Sequence, residues 1–220
     1  MAGKKVGVLL SGCGVMDGSE IHEATLALYF LDKQGAEIIC MAPDTAQQDV
    51  MNHVSGTPVE EKRNVMVEAA RIARGKIRDV KTVKEEELDA IVIPGGFGAA
   101  KNLCTFARHG ADCAVNADVA ALLTALHKAG KPIGALCIAP VIIAEVFGKT
   151  FAPEVTIGSD QGAAAAVEKM GARHKVAAVD EIVVDARNKI VSTPCYMLTQ
   201  RISEIGAGIE KLIAKVLELA

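Results

Sequence analysis

The run IGALCIAPVIIAEVF, residues 133–147, decides how this chain folds. An apolar stretch leads in from Lys131-Pro132, Cys137 follows, and the residues after it read as a helix over 138–147. Ala135 and Ala139 stand two positions to either side of the sulfur. A core cysteine has no need of small neighbours there. A nucleophile carried on a sharp strand-to-helix turn does, because the backbone doubles back and larger side chains would collide.

The alternation of strand and helix recurs outward from this stretch. Residues 4–10 form a first strand ending in SGCG at 11–14. Residues 19–31 place Ile21, Ala24, Leu28 and Leu31 on one helical stripe, and 37–41 is a second strand. Such a strand–helix–strand unit favours a parallel sheet. Residues 89–93 are a buried strand closed by PGGFG at 94–98. Further helices are expected at 64–73, 118–129, 161–170 and 195–219, with another beginning at 99–103. Short strands are expected at 77–80 and 155–157, and a hairpin over 181–193. The polar stretch 44–64 is too long for a plain connection and should carry irregular structure or a small hairpin. Residues 104–117 are ambiguous. With no repeat, low-complexity tract or linker, residues 1–220 read as a single doubly wound α/β domain with a mostly parallel sheet.

Half of the 220 residues are hydrophobic, but only 3% are aromatic and there is no Trp, so the core must be Val, Ile, Leu and Ala. That composition suits a buried parallel sheet under Ala-rich helices. A net charge of −3 gives no reason to expect nucleic acid or an anionic membrane as partner. No apolar run approaches the roughly 18–20 residues that span a bilayer. The N-terminal stretch reads as a core strand and not as a signal peptide, so the default expectation is a cytoplasmic protein. The six cysteines, at 13, 40, 104, 113, 137 and 195, show neither C-x-x-C nor zinc spacing, and no metal is expected. Most should be free buried thiols.

In an open α/β sheet, ligands sit at the carboxyl ends of the strands. Three segments that end strands there carry unusual chemistry: SGCG with the helix after it, PGGFG, and the Cys137 turn. A thiol at a helix start feels the helix dipole and free N–H groups, so its pKa should fall. The Ile138 and Gly96 amides could form an anion pocket, although PGGFG alone reads equally well as a tight turn. It lacks the spacing of a phosphate-binding loop. GSEIHEA, residues 18–24, brings Glu20, His22 and Glu23 to the same edge. Glu20 reads as a surface acid favoured by the helix dipole. Glu23 could turn inward, and a buried carboxyl beside a thiol would have a raised pKa and could shuttle a proton. Lys101 and Asn102 follow the glycine loop and are minor candidates to face substrate; Arg63 and Arg71 read as salt-bridge partners.

Four blocks, SGCGVMDGSEIHEA (11–24), ARIARGKI (70–77), PGGFGAAKNL (94–103) and KPIGALCIAP (131–140), resemble the ElbB branch of the DJ-1/PfpI superfamily. This branch includes the sigma cross-reacting or enhancing lycopene biosynthesis proteins and the ES1 proteins of animal mitochondria. The resemblance runs over essentially the whole chain. It implies a flavodoxin-like fold related to class I glutamine amidotransferase domains. It implies a nucleophile at Cys137, a partner glutamate at Glu23 with His22 as the fallback, and a glycine loop at Gly95 and Gly96. It also implies a homodimer and a glyoxalase that needs no cofactor. On that reading a small 2-oxoaldehyde, glyoxal, becomes glycolate through a cysteine hemithioacetal; the alternative is a low-turnover redox or carbonyl sensor using the same cysteine. The chain departs from many superfamily members at one point: Ile138 follows Cys137 where a histidine often stands, and Thr156-Ile157-Gly158-Ser159 occupies the place of a later histidine. No Cys-His-acid triad can be drawn, which counts against protease or amidotransferase chemistry.

Overall fold

The computed structural model describes residues 3–220. Seven strands form the central sheet: β1 (Lys5–Leu9), β2 (Glu37–Ala42), β3 (Arg78–Asp79), β4 (Ala90–Ile93), β5 (Ile133–Leu136), β6 (Val183–Asp185) and β7 (Ile190–Thr193). Their order across the sheet is β6-β7-β5-β4-β1-β2-β3. Only β6 and β7 pair antiparallel; every other pair is parallel. Without the two-residue β3 edge, β2-β1-β4-β5 followed by β7 is the flavodoxin-like order.

Strand alternation sends side chains to two separate cores. Val6, Val8 and Leu10 face one side with Val92, Leu136 and Val191. There they meet α1 (Ile21–Lys33), α2 (Val65–Ile72) and α6 (Ile202–Leu219) through Ala24, Ala27, Leu31, Ile209 and Leu212. Leu9, Ile91, Ile93 and Ile133 face the other side. These pack on α3 (Ala117–Lys128), α4 (Pro140–Phe151) and α5 (Gln161–Lys169) through Leu123, Leu126, Ile142, Phe147 and Val167. Each such fully buried Val, Leu, Ile or Phe side chain contributes about 1.5–3 kcal/mol. The helices cover both faces, as the doubly wound reading expected.

Several expectations need correction. The final helix starts at Ile202 and not at 195, because Cys195 takes a left-handed φ of 46° and residues Cys195–Met197 form a separate 3-10 turn. The helix after Cys137 starts at Pro140, two residues later than expected. The short strand near 155 is Glu154–Val155, and it pairs with Arg173–His174 outside the main sheet. Residues Ala99–Leu103 close as a π-helical turn, and 104–117 hold a short helix, a 3-10 turn and an isolated bridge between Cys104 and Val115. The hairpin in the polar stretch is present, pairing Met51–Asn52 with Thr57–Pro58. No helix among the described residues is long and apolar enough to cross a membrane.

Candidate active site

The winding of the sheet reverses beside β1. From β1 the chain goes outward through β2 to the β3 edge, then crosses to β4 on the other side. A crevice opens beyond the strand ends at such a point. The residues leaving β1, β4, β5 and β7 converge there.

Cys137 follows β5 directly, with a left-handed φ of 57°. That conformation costs a non-glycine residue about 1–2 kcal/mol. The bend is held by two backbone bonds, from the Cys137 N–H to Thr193 O at 2.9 Å and from the Ala139 N–H to Leu136 O at 2.9 Å. Ala135 and Ala139 are both fully buried, so small residues there are a packing requirement. The Gly96 and Ile138 amides approach the Cys137 sulfur and favour negative charge on it.

Glu23 lies in the first turn of α1 and is 0% exposed. Glu20 caps that helix, its carboxylate accepting the Glu23 N–H at 2.7 Å. The cap fixes the turn so that Glu23 points inward under the β4 loop. Its Oε2 accepts the Gly95 N–H at 2.9 Å, and the Tyr196 amide also approaches the carboxyl. Its Oε1 is buried without a hydrogen bond of ordinary geometry, and the neighbour that faces the carboxyl is the Cys137 thiol. Gly95 stands between them: a Cβ there would lie 2.5 Å from the Cys137 Cβ and 2.7 Å from Glu23 Oε2. Only glycine lets the three segments close. Gly96 has a left-handed φ of 91° and turns its backbone toward the sulfur.

Burial raises the Glu23 pKa to about 8; the thiol and the Gly95 and Tyr196 amides pull it down, and the charge on Glu20 pushes it up. Burial also holds the Cys137 thiol well above its ordinary value, with the Glu23 charge adding to the rise. The Gly96 and Ile138 amides oppose this without reversing it. The expectation of a low thiol pKa is therefore overturned. Cys137 is only 7% exposed, and α4 begins three residues beyond it, so desolvation outweighs the helix dipole. Below about pH 8 both thiol and carboxyl keep their protons, and the site holds no ready-made thiolate.

A cavity of about 310 Å³ opens above the sulfur. Cys137 and Ile138 line it with Phe97, Glu20, Asp160 and Tyr196. Most of that lining is apolar. Glu23 lies behind the thiol. Tyr196 was missed in the sequence, where it fell inside the long final helix; the Pro194 at the end of β7 was the available sign of a break.

His22 is not at the sulfur. Its exposed ring bonds the Tyr196 hydroxyl at 2.7 Å, which leaves Glu23 as the residue that faces the thiol. His53 bonds the Met51 carbonyl, His109 the Thr105 hydroxyl, and His127 packs on Phe147 and Phe151. Lys101 pairs with Asp49 at 2.9 Å, and Asn102 holds the Ser11 and Asp17 carbonyls, so both brace the loop after β1. Arg63 and Arg71 both pair with Glu68. Asp160 caps α5 through the Ala163 N–H. Among the described residues, no group of three or more His, Cys, Asp or Glu is arranged to hold a metal ion.

A model of the DJ-1/PfpI family matches residues 8–193. The human protein named glutamine amidotransferase-like class 1 domain-containing protein 3, mitochondrial, is 48% identical over 98% of this chain and 83% of its own length. The mitochondrial ES1 protein homolog of rat is 48% identical over 98% of this chain and 84% of its own. Among solved structures, an isoprenoid biosynthesis protein with an amidotransferase-like domain from Ehrlichia chaffeensis superposes with a TM-score of 0.92 at 34% identity, covering 98% of this chain and 100% of that one. The mitochondrial relatives overturn the expectation of a cytoplasmic protein. That expectation rested on reading the N-terminal stretch as a core strand, which does not report where a folded chain resides.

Proposed function

The chain belongs to the DJ-1/PfpI family, and from that premise and the site geometry we propose that it is a glyoxalase-like enzyme acting on small 2-oxoaldehydes. The observation that carries this reading is the Cys137–Glu23 pair: a thiol at a cavity floor, two amides at its sulfur, and a buried carboxyl behind it.

Glyoxal is taken as the substrate. The Glu23 carboxylate accepts the thiol proton as the sulfur adds to the C1 aldehyde carbon. The resulting alkoxide accepts hydrogen bonds from the Gly96 and Ile138 amides and then takes the proton that Glu23 holds. Glu23, again a carboxylate, removes the hydrogen from C1, giving an enediol, and delivers a proton to C2. C1 is thereby oxidised to a thioester and C2 reduced to an alcohol. The two changes balance within the substrate, so the scheme needs no external oxidant or reductant. Water cleaves the thioester to glycolate and restores the thiol. A raised carboxyl pKa suits this work, because a base near neutrality both takes and returns a proton readily.

Amidotransferase chemistry is less well supported, since the residue after the nucleophile is Ile138 and no imidazole hydrogen-bonds the sulfur. A peroxide sensor works best with a stabilised thiolate, and here burial favours the thiol. The test is glyoxal consumption with glycolate detection, in wild type and in Cys137→Ser and Glu23→Gln. Loss of turnover in both variants supports the reading. Wild-type rates in either, or a wild-type protein that forms no glycolate, would end it.

A further inference from the structure

The mechanism leaves one proton without a donor. As C1 loses its hydrogen, the electron pair of that bond becomes the C1–C2 double bond and the carbonyl pair moves to the C2 oxygen. That oxygen must be protonated. The Gly96 and Ile138 amides serve the other oxygen, and Glu23 is occupied with carbon.

Tyr196 lines the same cavity as Cys137 and Ile138. It comes from the turn after β7, where Cys195 is a second left-handed non-glycine residue at the end of a strand. β7 pairs with β5, and the Cys137 N–H binds Thr193 on that strand. The two strained bends are thus built side by side. Backbone strain of this kind persists only where surrounding structure enforces it. The outcome is that one turn presents its amide to Glu23 and its phenol ring to the cavity. The Tyr196 hydroxyl is 2.7 Å from His22 Nδ1, and that nitrogen is 3.9 Å from Glu20 Oε1. The His22 side chain is 54% exposed, so the chain of groups runs from cavity wall to solvent.

We propose that Tyr196 is the proton donor to the second substrate oxygen, with His22 as the group that resupplies it. This rests on the glyoxalase reading above. Tyr196 gives its proton to the C2 oxygen as the enediol forms. The C1 hydroxyl releases its proton to solvent as C1 becomes the thioester carbonyl and C2 takes the proton held by Glu23, and His22 passes a proton from solvent to the phenolate. Every group ends in its starting state. Burial and the neighbouring Glu20 and Glu23 charges raise the phenol pKa, which keeps the hydroxyl protonated and able to donate. His22, hydrogen-bonded to that hydroxyl and open to solvent, carries this proton in each turnover.

The experiment compares glyoxal turnover in wild type, Tyr196→Phe and His22→Ala, with iodoacetamide alkylation of Cys137 measured on each protein. Tyr196→Phe should lower kcat by about a hundredfold, in the range general acid catalysis supplies, with KM and the alkylation rate unchanged. His22→Ala should lower kcat by about tenfold, and added imidazole should restore it, because the site it leaves is open to solvent. Wild-type kcat in Tyr196→Phe would overturn this proposal while the glyoxalase reading stands. So would a fall in alkylation matching the fall in kcat, which would mark Tyr196 as a support for the turn. Unaltered kcat in His22→Ala, or a loss that imidazole leaves unchanged, would remove His22 from the relay. A wild-type protein without turnover would overturn both readings together.

Discussion

Replacing Glu23 by Gln should remove most of a pH-dependent loss of stability. In the folded chain this carboxyl titrates at about 8 instead of its ordinary 4.5, chiefly because it is buried. The folded state therefore binds a proton that the unfolded state has released across that interval. Stability falls with pH wherever the native state holds more protons. The contribution is fully present below about 4.5 and is lost as pH rises through about 8. The difference of 8 − 4.5 = 3.5 pH units, at 1.36 kcal/mol per unit, sets the loss at about 5 kcal/mol. A typical domain has only about 5–15 kcal/mol in total, so the effect is large enough to measure. Glutamine keeps an oxygen to accept the Gly95 N–H and has nothing to titrate. Urea unfolding of wild type and Glu23→Gln should be followed from pH 4.5 to pH 9. The variant should gain on wild type steadily above pH 5, by several kcal/mol at pH 9. Parallel curves would refute a buried, proton-holding carboxyl at this position.

Gly95→Ala should abolish glyoxal turnover and lower the melting temperature, since a Cβ would sit 2.5 Å from the Cys137 Cβ; wild-type activity in that variant would show that the three segments need not close. At position 137 the usual preference for alanine over glycine should reverse: Cys137→Gly should be more stable than Cys137→Ala by about 1 kcal/mol in chemical denaturation, because the φ of 57° is left-handed. Glu20→Gln should move the pH midpoint of glyoxal turnover downward, since the Glu20 charge helps raise the Glu23 pKa; the pH–rate profile of the variant would show an unmoved midpoint if the two carboxyls do not interact.

The site was legible in the sequence to the extent that it depends on residue size and spacing. Ala135 and Ala139 revealed the bend at Cys137 because only small residues survive in that turn. Gly95 and Gly96 revealed a close approach of backbone, and the acid three residues after Glu20 proved to be the inward one. What escaped was conformational or collective. The left-handed turn at Cys195 breaks the chain before the final helix, yet the apolar spacing of Ile202, Ile205 and Ile209 extends naturally back over it and conceals Tyr196. The thiol pKa was misjudged because a helix start is visible in a sequence and the depth of burial is not. The strand Arg173–His174 is two residues long, too short for any period to register, so the pairing of Glu154–Val155 outside the main sheet stayed hidden.

The dependence of Cys137 on the Glu23 carboxylate as its base is tested most directly by a paired pH profile on one preparation, in which Cys137 alkylation and glyoxal turnover are both followed from pH 5 to pH 10. Both should be slow at pH 6 and rise together through about 8, as Glu23 loses its proton and becomes able to take the one on sulfur. Alkylation already complete and level at pH 5, or turnover indifferent to pH over the same range, would contradict it.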